Sequence, residues 1–327
     1  MGGDHAPAVI VDGAIAAARH LRLRLLLVGQ SDAIARELSR QRDAASLDIE
    51  ILDTPEAVEM AEPPSAALRR KPRASIRLAA DAVAEGRADA LFSAGNTGAT
   101  LMAAYAALRL LPGVDRPALA TTIPTRRGSA VLLDAGANVE CRPQHLLQFA
   151  AMGAVYAQVA LQIPAPHIGL LSIGEEETKG NELTREAHRL MKGLPNFLGN
   201  VEARDVYSGA ADVIVCDGFT GNVALKISEG LVETVEHLLG HELQRTFATR
   251  MGYLLSLRAF RRFRRRVDYS EYGGAPLLGV NGVCIVGHGR SSVKAVRNAV
   301  AMANRFVKED FVRRLERGIA AVAVPQP

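Results

Sequence analysis

The chain has 327 residues, 48% hydrophobic and 23% charged, which is the profile of a soluble globular protein with length for a large core. It has no run of 18 apolar residues and opens on no basic-then-apolar leader, so a cytoplasmic protein with no membrane span is expected. The net charge of +4 is local: seven arginines and no acid lie between Arg250 and Arg266, and removing them leaves the rest at −3. The three cysteines (Cys141, Cys216 and Cys284) are too scattered for a disulfide framework or a metal cluster.

Short apolar runs alternate with helical patterns along the chain. "LRLRLLLVG" predicts a strand and "SDAIARELSRQ" a helix; "LDIEIL" predicts a strand, followed by a helix ending near Gly86. "ADALFSAG" predicts a strand leading into an Ala-rich helix, and "PALATTI" and "GSAVLLDAG" predict two neighbouring strands. A helix over "PQHLLQFAAMGAVYAQVAL", a strand at "HIGLLSIG", a helix at "NELTREAHRLMK" and a strand at "ADVIVCDG" follow, before a long helix from about Phe219. This alternation predicts an α/β fold: a three-layer α/β/α sandwich on a mostly parallel sheet, one domain over 1–327, with a protruding helical tip at about 240–270.

The chemistry lies where strands run out. Gly95, Asn96 and Gly98 follow one strand, Asp134, Gly136 and Asn138 another. Lys179, Asn181 and Glu182 follow a third, and Asp217, Gly218, Gly221 and Asn222 a fourth; the opening Gly2, Gly3, Asp4 and His5 resemble them. In open α/β sheets ligands bind beyond the carboxyl ends of strands, where glycine amides and helix N-termini attract anions. One such loop is an ordinary turn in which Gly and Asn supply unusual backbone angles. Four loops of matching chemistry predict a shared anion site, with Lys179 as its strong cation. No G-x-x-x-x-G-K-[ST], G-x-G-x-x-G after the early strands or G-x-S-x-G is present, which disfavours a P-loop nucleotidase, a dinucleotide enzyme and a serine hydrolase. His237 and His241 read as neighbours on a helix face, and Cys141 has no base near it in sequence.

Seven stretches in series, "MGGDHAP", "SAGNTGA", "DAGANVEC", "IGEEETKGNEL", "FLGNVEARD", "DGFTGNVALKISEG" and "YGGAPLLGVNG", resemble the motifs of the bacterial phosphate acyltransferases of phospholipid synthesis, the PlsX family. The resemblance spans nearly the whole chain. It implies transfer of a long acyl chain from acyl carrier protein to inorganic phosphate, giving acyl-phosphate. It also implies a fold like that of phosphotransacetylases and isocitrate/isopropylmalate dehydrogenases, a homodimer, loose attachment to the membrane, and no metal or organic cofactor. A membrane glycerol-3-phosphate acyltransferase would consume the product. In such chemistry phosphate is the nucleophile. Lys179 and glycine-loop amides would bind it, and Asn222, Asn138 or Asn96 would donate to the oxyanion. His5 would carry a proton or would cap a helix.

The arginine-rich segment carries Leu254, Leu257, Arg258, Phe260, Arg261, Arg262 and Arg265. A hairpin tip with an apolar apex and basic flanks fits an anionic membrane surface, the acidic face of acyl carrier protein, or dimer packing. Nucleic acid is disfavoured, since no recognisable binding module is present. Two other readings stay open: a dehydrogenase-like enzyme on a 2-hydroxy acid, and a non-catalytic binding protein built around the arginine segment. Finally, the resembling family carries a short strand directly before the methionine and two glycines. The expectation is that the native start lies upstream, that this chain leaves a strand position vacant beside "LRLRLLLVG", and that Gly2–His5 are held loosely.

Overall fold

A computed structural model describes residues 1–267 and 273–322, with side chains within 264–267 excluded. The first part of the chain forms α1 (Ala8–Leu21), β1 (Leu25–Gly29), α2 (Ser31–Ser39), β2 (Ile49–Asp53), α3 (Pro64–Arg70), α4 (Ser75–Ala84), β3 (Ala90–Ser93) and α5 (Thr97–Leu108). The middle forms β4 (Ala118–Leu119), β5 (Thr121–Thr125), β6 (Gly128–Leu133), α6 (Pro143–Ala160), β7 (Ile168–Ser172), α7 (Glu182–Met191), β8 (Phe197–Glu202) and β9 (Val213–Val215). The rest forms α8 (Gly218–Gln244), α9 (Phe247–Val267), β10 (Ala275–Leu278), β11 (Val283–Val286), α10 (Val293–Lys308) and α11 (Phe311–Val322).

The strands hydrogen-bond in three pieces: β1-β2, β3-β11-β10-β4 and β5-β6-β9-β7-β8. β4 and β5 are one stretch of chain that passes between the two larger sheets at Ala120. Its first half pairs with β10, and its second half pairs with β6. The registers place Ser93 of β3 opposite Val286 of β11, with Ala120 hydrogen-bonded to Pro276 at the same end. From the other side, Thr121 lies opposite Leu132, near the end of β6. The carboxyl ends of β3, β11, β6 and β9 therefore meet around residues 119–121.

Period-two alternation gives each sheet two apolar faces. Leu91, Cys284 and Val286 face α4 and α5, whereas Val283 and Ile285 face the layer of α6, α10 and α11. The α6 helix is buried along most of its length and runs under both larger sheets, joining their cores. The far face of the five-stranded sheet (Ala130, Leu132 and Ile214) is closed by Val206 and Ala211, on the short turn and loop before β9.

The strands β8, β10 and β11 were not anticipated, because Gly199, Pro276 and the shortness of β11 mask their alternation. Among the described residues β1 pairs with β2 alone and β3 with β11 alone, and between them lies a cavity of about 620 Å³. It is bordered by Leu25–Val28, Ala90–Ser93 and aliphatic side chains of α1, α4 and α10. The edges of β1 and β3 that border this cavity are not paired with each other. The expected looseness of the opening loop is not observed. The Asp4 amide donates to the Gly289 carbonyl at 3.1 Å, and Gly3 packs on the Ala94 carbonyl. The loop is held by its neighbours on the carboxyl side of the gap.

Burial pushes the Met1 ammonium below its ordinary value of 8.0, against a smaller opposing pull from Glu59. The unfolded chain then holds that proton more tightly, so the polypeptide beginning at Met1 should gain stability as pH rises toward 8.0. A five-residue Val/Ile-rich segment fused ahead of Met1 should remove this pH dependence. By pairing with β1 and β3 it should also raise Tm by at least about 2 °C. Calorimetry of both forms across pH checks this, and an unchanged Tm would show that the gap does not accept a strand.

Candidate functional site

The turns after β3, β6 and β9 lie at the meeting of strand ends, the turn carrying Lys179 follows β7, which pairs parallel to β9 in the same sheet, and most of the polar residues of these turns hold the protein itself. Asn96 caps α5 by accepting from the Ala99 amide at 3.0 Å, and its own amide donates to the carbonyls of Glu59, Met60 and Glu62. Asn181 caps α7 through the Thr184 amide at 2.9 Å, with Glu182 in the first turn. Asp217 caps α8, accepting from both the amide and the hydroxyl of Thr220 at 2.8 Å. Each cap satisfies an otherwise orphaned helix amide and contributes about 1 kcal/mol.

Asp134 is fully buried at the end of β6. Its Oδ1 accepts from the amides of Leu119, Gly136 and Ala137 at 2.9–3.0 Å. Its Oδ2 accepts from the amide and side chain of Asn138 at 2.7 and 2.8 Å. Burial pushes this carboxyl above its ordinary range, and these donors pull it back toward ionisation. The remaining Asn138 hydrogen bond goes to the Pro117 carbonyl. Asp134 and Asn138 therefore brace the crossing strand, and Asn96 and Asn138 have no amide group left for a ligand.

Asn222 differs. It is exposed in the first turn of α8, against Gly136, and its side chain makes no hydrogen bond among the described residues. The close approach depends on Gly221, where a Cβ would run into the Asp134 carbonyl. Gly218 likewise packs on Asn138 and donates its amide to the Asn138 carbonyl at 2.8 Å. Gly2, Gly3 and Asp4 sit with Gly95 and Gly289 in a second cluster on the β3–β11 side, while Gly98 packs on Pro64. His5 is exposed beside them. Lys179 is exposed and makes no ion pair among the described residues, although three glutamates precede it.

The sequence reading missed one contact between these clusters. Glu229 of α8 has a buried Oε1 with no hydrogen bond, 3.6 Å from His288 Nε2 in the loop after β11. Desolvation lowers the His288 pKa, opposed by Glu229 and aided by Lys226. Burial also works against thiolate formation at the cysteines. Burial and nearby Asp134 push Cys141 up to about 12, and burial alone does the same to Cys284.

α8 and α9 form the predicted helical hairpin, turning at residues 245–246. Leu254 and Leu255 are 57% and 85% exposed, and Arg258, Arg261 and Arg262 are exposed near them. Leu257 and Phe260, predicted at the apolar apex, are half-buried instead, with Phe260 against Tyr253 at 5.2 Å. The side chain of Arg265 lies outside the described residues. No helix of the described residues is long and apolar enough to cross a membrane.

A crossed pair of α/β sheets with facing carboxyl ends is the fold of phosphotransacylases. A phosphotransacetylase from Streptococcus pyogenes superposes with a TM-score of 0.64 at 18% identity, covering 93% of this chain and 92% of that one. A branched-chain phosphotransacylase from Enterococcus faecalis gives 0.53 at 15% identity, covering 87% and 99%. The model of the family described as fatty acid synthesis protein matches residues 1–314, and the chain belongs to that family. It is 49% identical over 316 residues to the phosphate acyltransferase of Geobacter sulfurreducens, covering 96% of this chain and 91% of the relative. It is 50% identical over 323 residues to that of Acidobacterium capsulatum, covering 98% and 96%.

Asp134→Asn tests the brace. The new amide would direct hydrogens at the Asn138 donors or at three backbone amides, leaving buried donors unpaired at about 1–3 kcal/mol each. Thermal unfolding should show a drop in Tm; an unchanged Tm would mean that the carboxylate is dispensable.

Proposed function

We propose that this chain transfers a long-chain acyl group from acyl carrier protein to inorganic phosphate, releasing acyl-phosphate for phospholipid synthesis. One observation carries the reading at the level of residues: among the described residues the Asn222 side chain makes no hydrogen bond and Lys179 no ion pair, whereas Asn96 and Asn138 spend their NH2 groups on backbone carbonyls and Asn181 spends its oxygen on the α7 cap. Family membership and the relatives named phosphate acyltransferase support the reaction class.

In this reading the Lys179 ammonium and loop amides hold phosphate, reducing its repulsion from the thioester carbonyl oxygen. A phosphate oxygen attacks the carbonyl carbon, and the π-electron pair moves onto the carbonyl oxygen. Asn222 donates to that oxyanion, a contact whose loss typically costs about 10²–10³ in rate. Collapse of the intermediate breaks the C–S bond, and the pantetheine thiolate leaves as the mixed anhydride forms. His5 carries the proton to that sulfur. Gly2, Gly3 and Asp4 border the acyl-carrying side of the cleft. The chain acts as one domain over 1–327, because α6 packs under both larger sheets.

The same reading extends to surfaces. Phe219, Val223, Ile227, Leu231, Val235 and Leu239 form an exposed stripe at four-residue spacing on α8, fit for a second copy in a homodimer. The exposed leucines of α9 dip into an anionic membrane face while the arginines meet lipid phosphates or acyl carrier protein. A membrane glycerol-3-phosphate acyltransferase takes the product.

Incubation with acyl carrier protein loaded with a long acyl chain, plus phosphate, should yield acyl-phosphate. Lys179→Ala and Asn222→Ala should each cut turnover at least about tenfold with little change in Tm. No acyl-phosphate from the unmodified protein would overturn the function, and near-normal rates in both variants would overturn the site. For the tip, Leu254→Glu with Leu255→Glu should release the protein from phosphatidylglycerol vesicles in a flotation assay and leave soluble turnover intact. Unchanged flotation would assign the tip to protein contacts.

A further inference from the structure

Lys179 sits on a loop of exposed residues, and an isolated four-residue turn would hold its backbone poorly. A buried side-chain relay supplies the rigidity. The carbonyl oxygen of Glu176 accepts two hydrogen bonds, one from the amide of Lys179 at 2.9 Å and one from the Asn200 side-chain amide at 2.9 Å. Asn200 comes from β8 and is 6% exposed; its Oδ1 lies 3.0 Å from Nδ1 of His188, which is on α7 and 7% exposed. With the Asn200 amide facing a carbonyl, its oxygen faces the imidazole, so His188 Nδ1 is the donor. The ring is held edge-on to Phe197 at 5.3 Å. On the far side of Lys179 the chain leaves through Gly180 at φ +96°, where a Cβ would run into Thr184 Oγ1.

We infer that Asn200 and His188 are positioning residues for Lys179. Asn200 must accept from an imidazole N–H and donate to a carbonyl at once, which a primary amide does and a hydroxyl or carboxylate does not do in the same geometry. The group that it grips is the backbone of the turn, so the inference is indifferent to the Glu176 side chain. It rests on the reading of Lys179 as the phosphate cation. Two buried polar side chains are committed to one exposed turn. That arrangement fixes where the Lys179 stem leaves the backbone, and small displacements of a charged group at a reacting centre are costly in rate.

The test is steady-state kinetics of acyl-phosphate formation by the full-length protein, varying phosphate and acyl carrier substrate separately. Asn200→Leu keeps the volume and removes both hydrogen bonds. It should lower kcat/KM for phosphate by roughly tenfold and leave KM for the acyl carrier substrate within about twofold. In the Lys179→Ala background, Asn200→Leu should cost nothing further, because the group it positions is gone. Unaltered phosphate kinetics, or losses that multiply in the double variant, would overturn the inference and leave Lys179 in place. A silent Lys179→Ala would instead bring down the site reading and the inference with it. Should Asn200→Leu not fold, His188 decides. His188→Asn keeps a donor near the Nδ1 position and should retain most of the phosphate kcat/KM, whereas His188→Leu should lose it; equal behaviour of the two would overturn the inference.

Discussion

The structure turns on one buried carboxylate. Asp134 gathers hydrogen bonds from the crossing strand at Leu119 and from the loop at Gly136, Ala137 and Asn138. A carboxylate taken from water needs this full set of donors, since unpaired buried charge is among the costliest defects a fold can carry. Meeting that need brings the end of β6 against β4 and seats α8 close enough for its Gly221 to graze the Asp134 carbonyl. The position of Asn222 then follows from the helix: it is one residue beyond the contact glycine.

The crossing strand explains why a site forms here. Two sheets with parallel strands each present carboxyl ends, helix N-termini and glycine turns, and a shared strand bent at Ala120 makes those ends face one another. Neither half alone would enclose a ligand. Glu229 and His288 link α8 with the loop after β11, and the Asp4 amide hangs on the same loop through Gly289. The two sides of the cleft are joined by the α6 core beneath them, with Glu229 Oε1 3.6 Å from His288 Nε2 between α8 and the loop after β11. The exposed Lys179 and Asn222 side chains lie on turns that follow strand ends, which suits recognition of an anion by positioned groups.

The hairpin follows a different rule. The α8 and α9 side chains are mostly exposed, and their leucines, phenylalanines and valines lie outside the main core. Among the described residues, no core cluster includes the exposed apolar residues of α8 and α9. The amphipathic character was readable from the sequence, but its direction was not. Leu257 and Phe260 are half-buried, whereas Leu254 and Leu255 are exposed, a difference that the three-residue spacing does not order.

Local pattern determined the element types, because alternation and 3.6-residue periodicity are written residue by residue, and the glycine-rich turns marked where strands end. The resemblance of seven ordered motifs to those of a known family pointed to the reaction class. What the sequence could not assign was the work of each polar residue. Asn96, Asn138 and Asn222 look alike in a string of letters. Only the tertiary structure decides that two of them spend their amides on the carbonyls of Glu59, Met60, Glu62 and Pro117 while the third does not. Likewise, Asn200 lies 21 residues beyond Lys179 in a strand without clear alternation, and its grip on the Glu176 carbonyl exists only once β8 packs beside β7. Hydrogen-bond commitment is a property of which groups meet, and groups distant in sequence meet only in the folded chain.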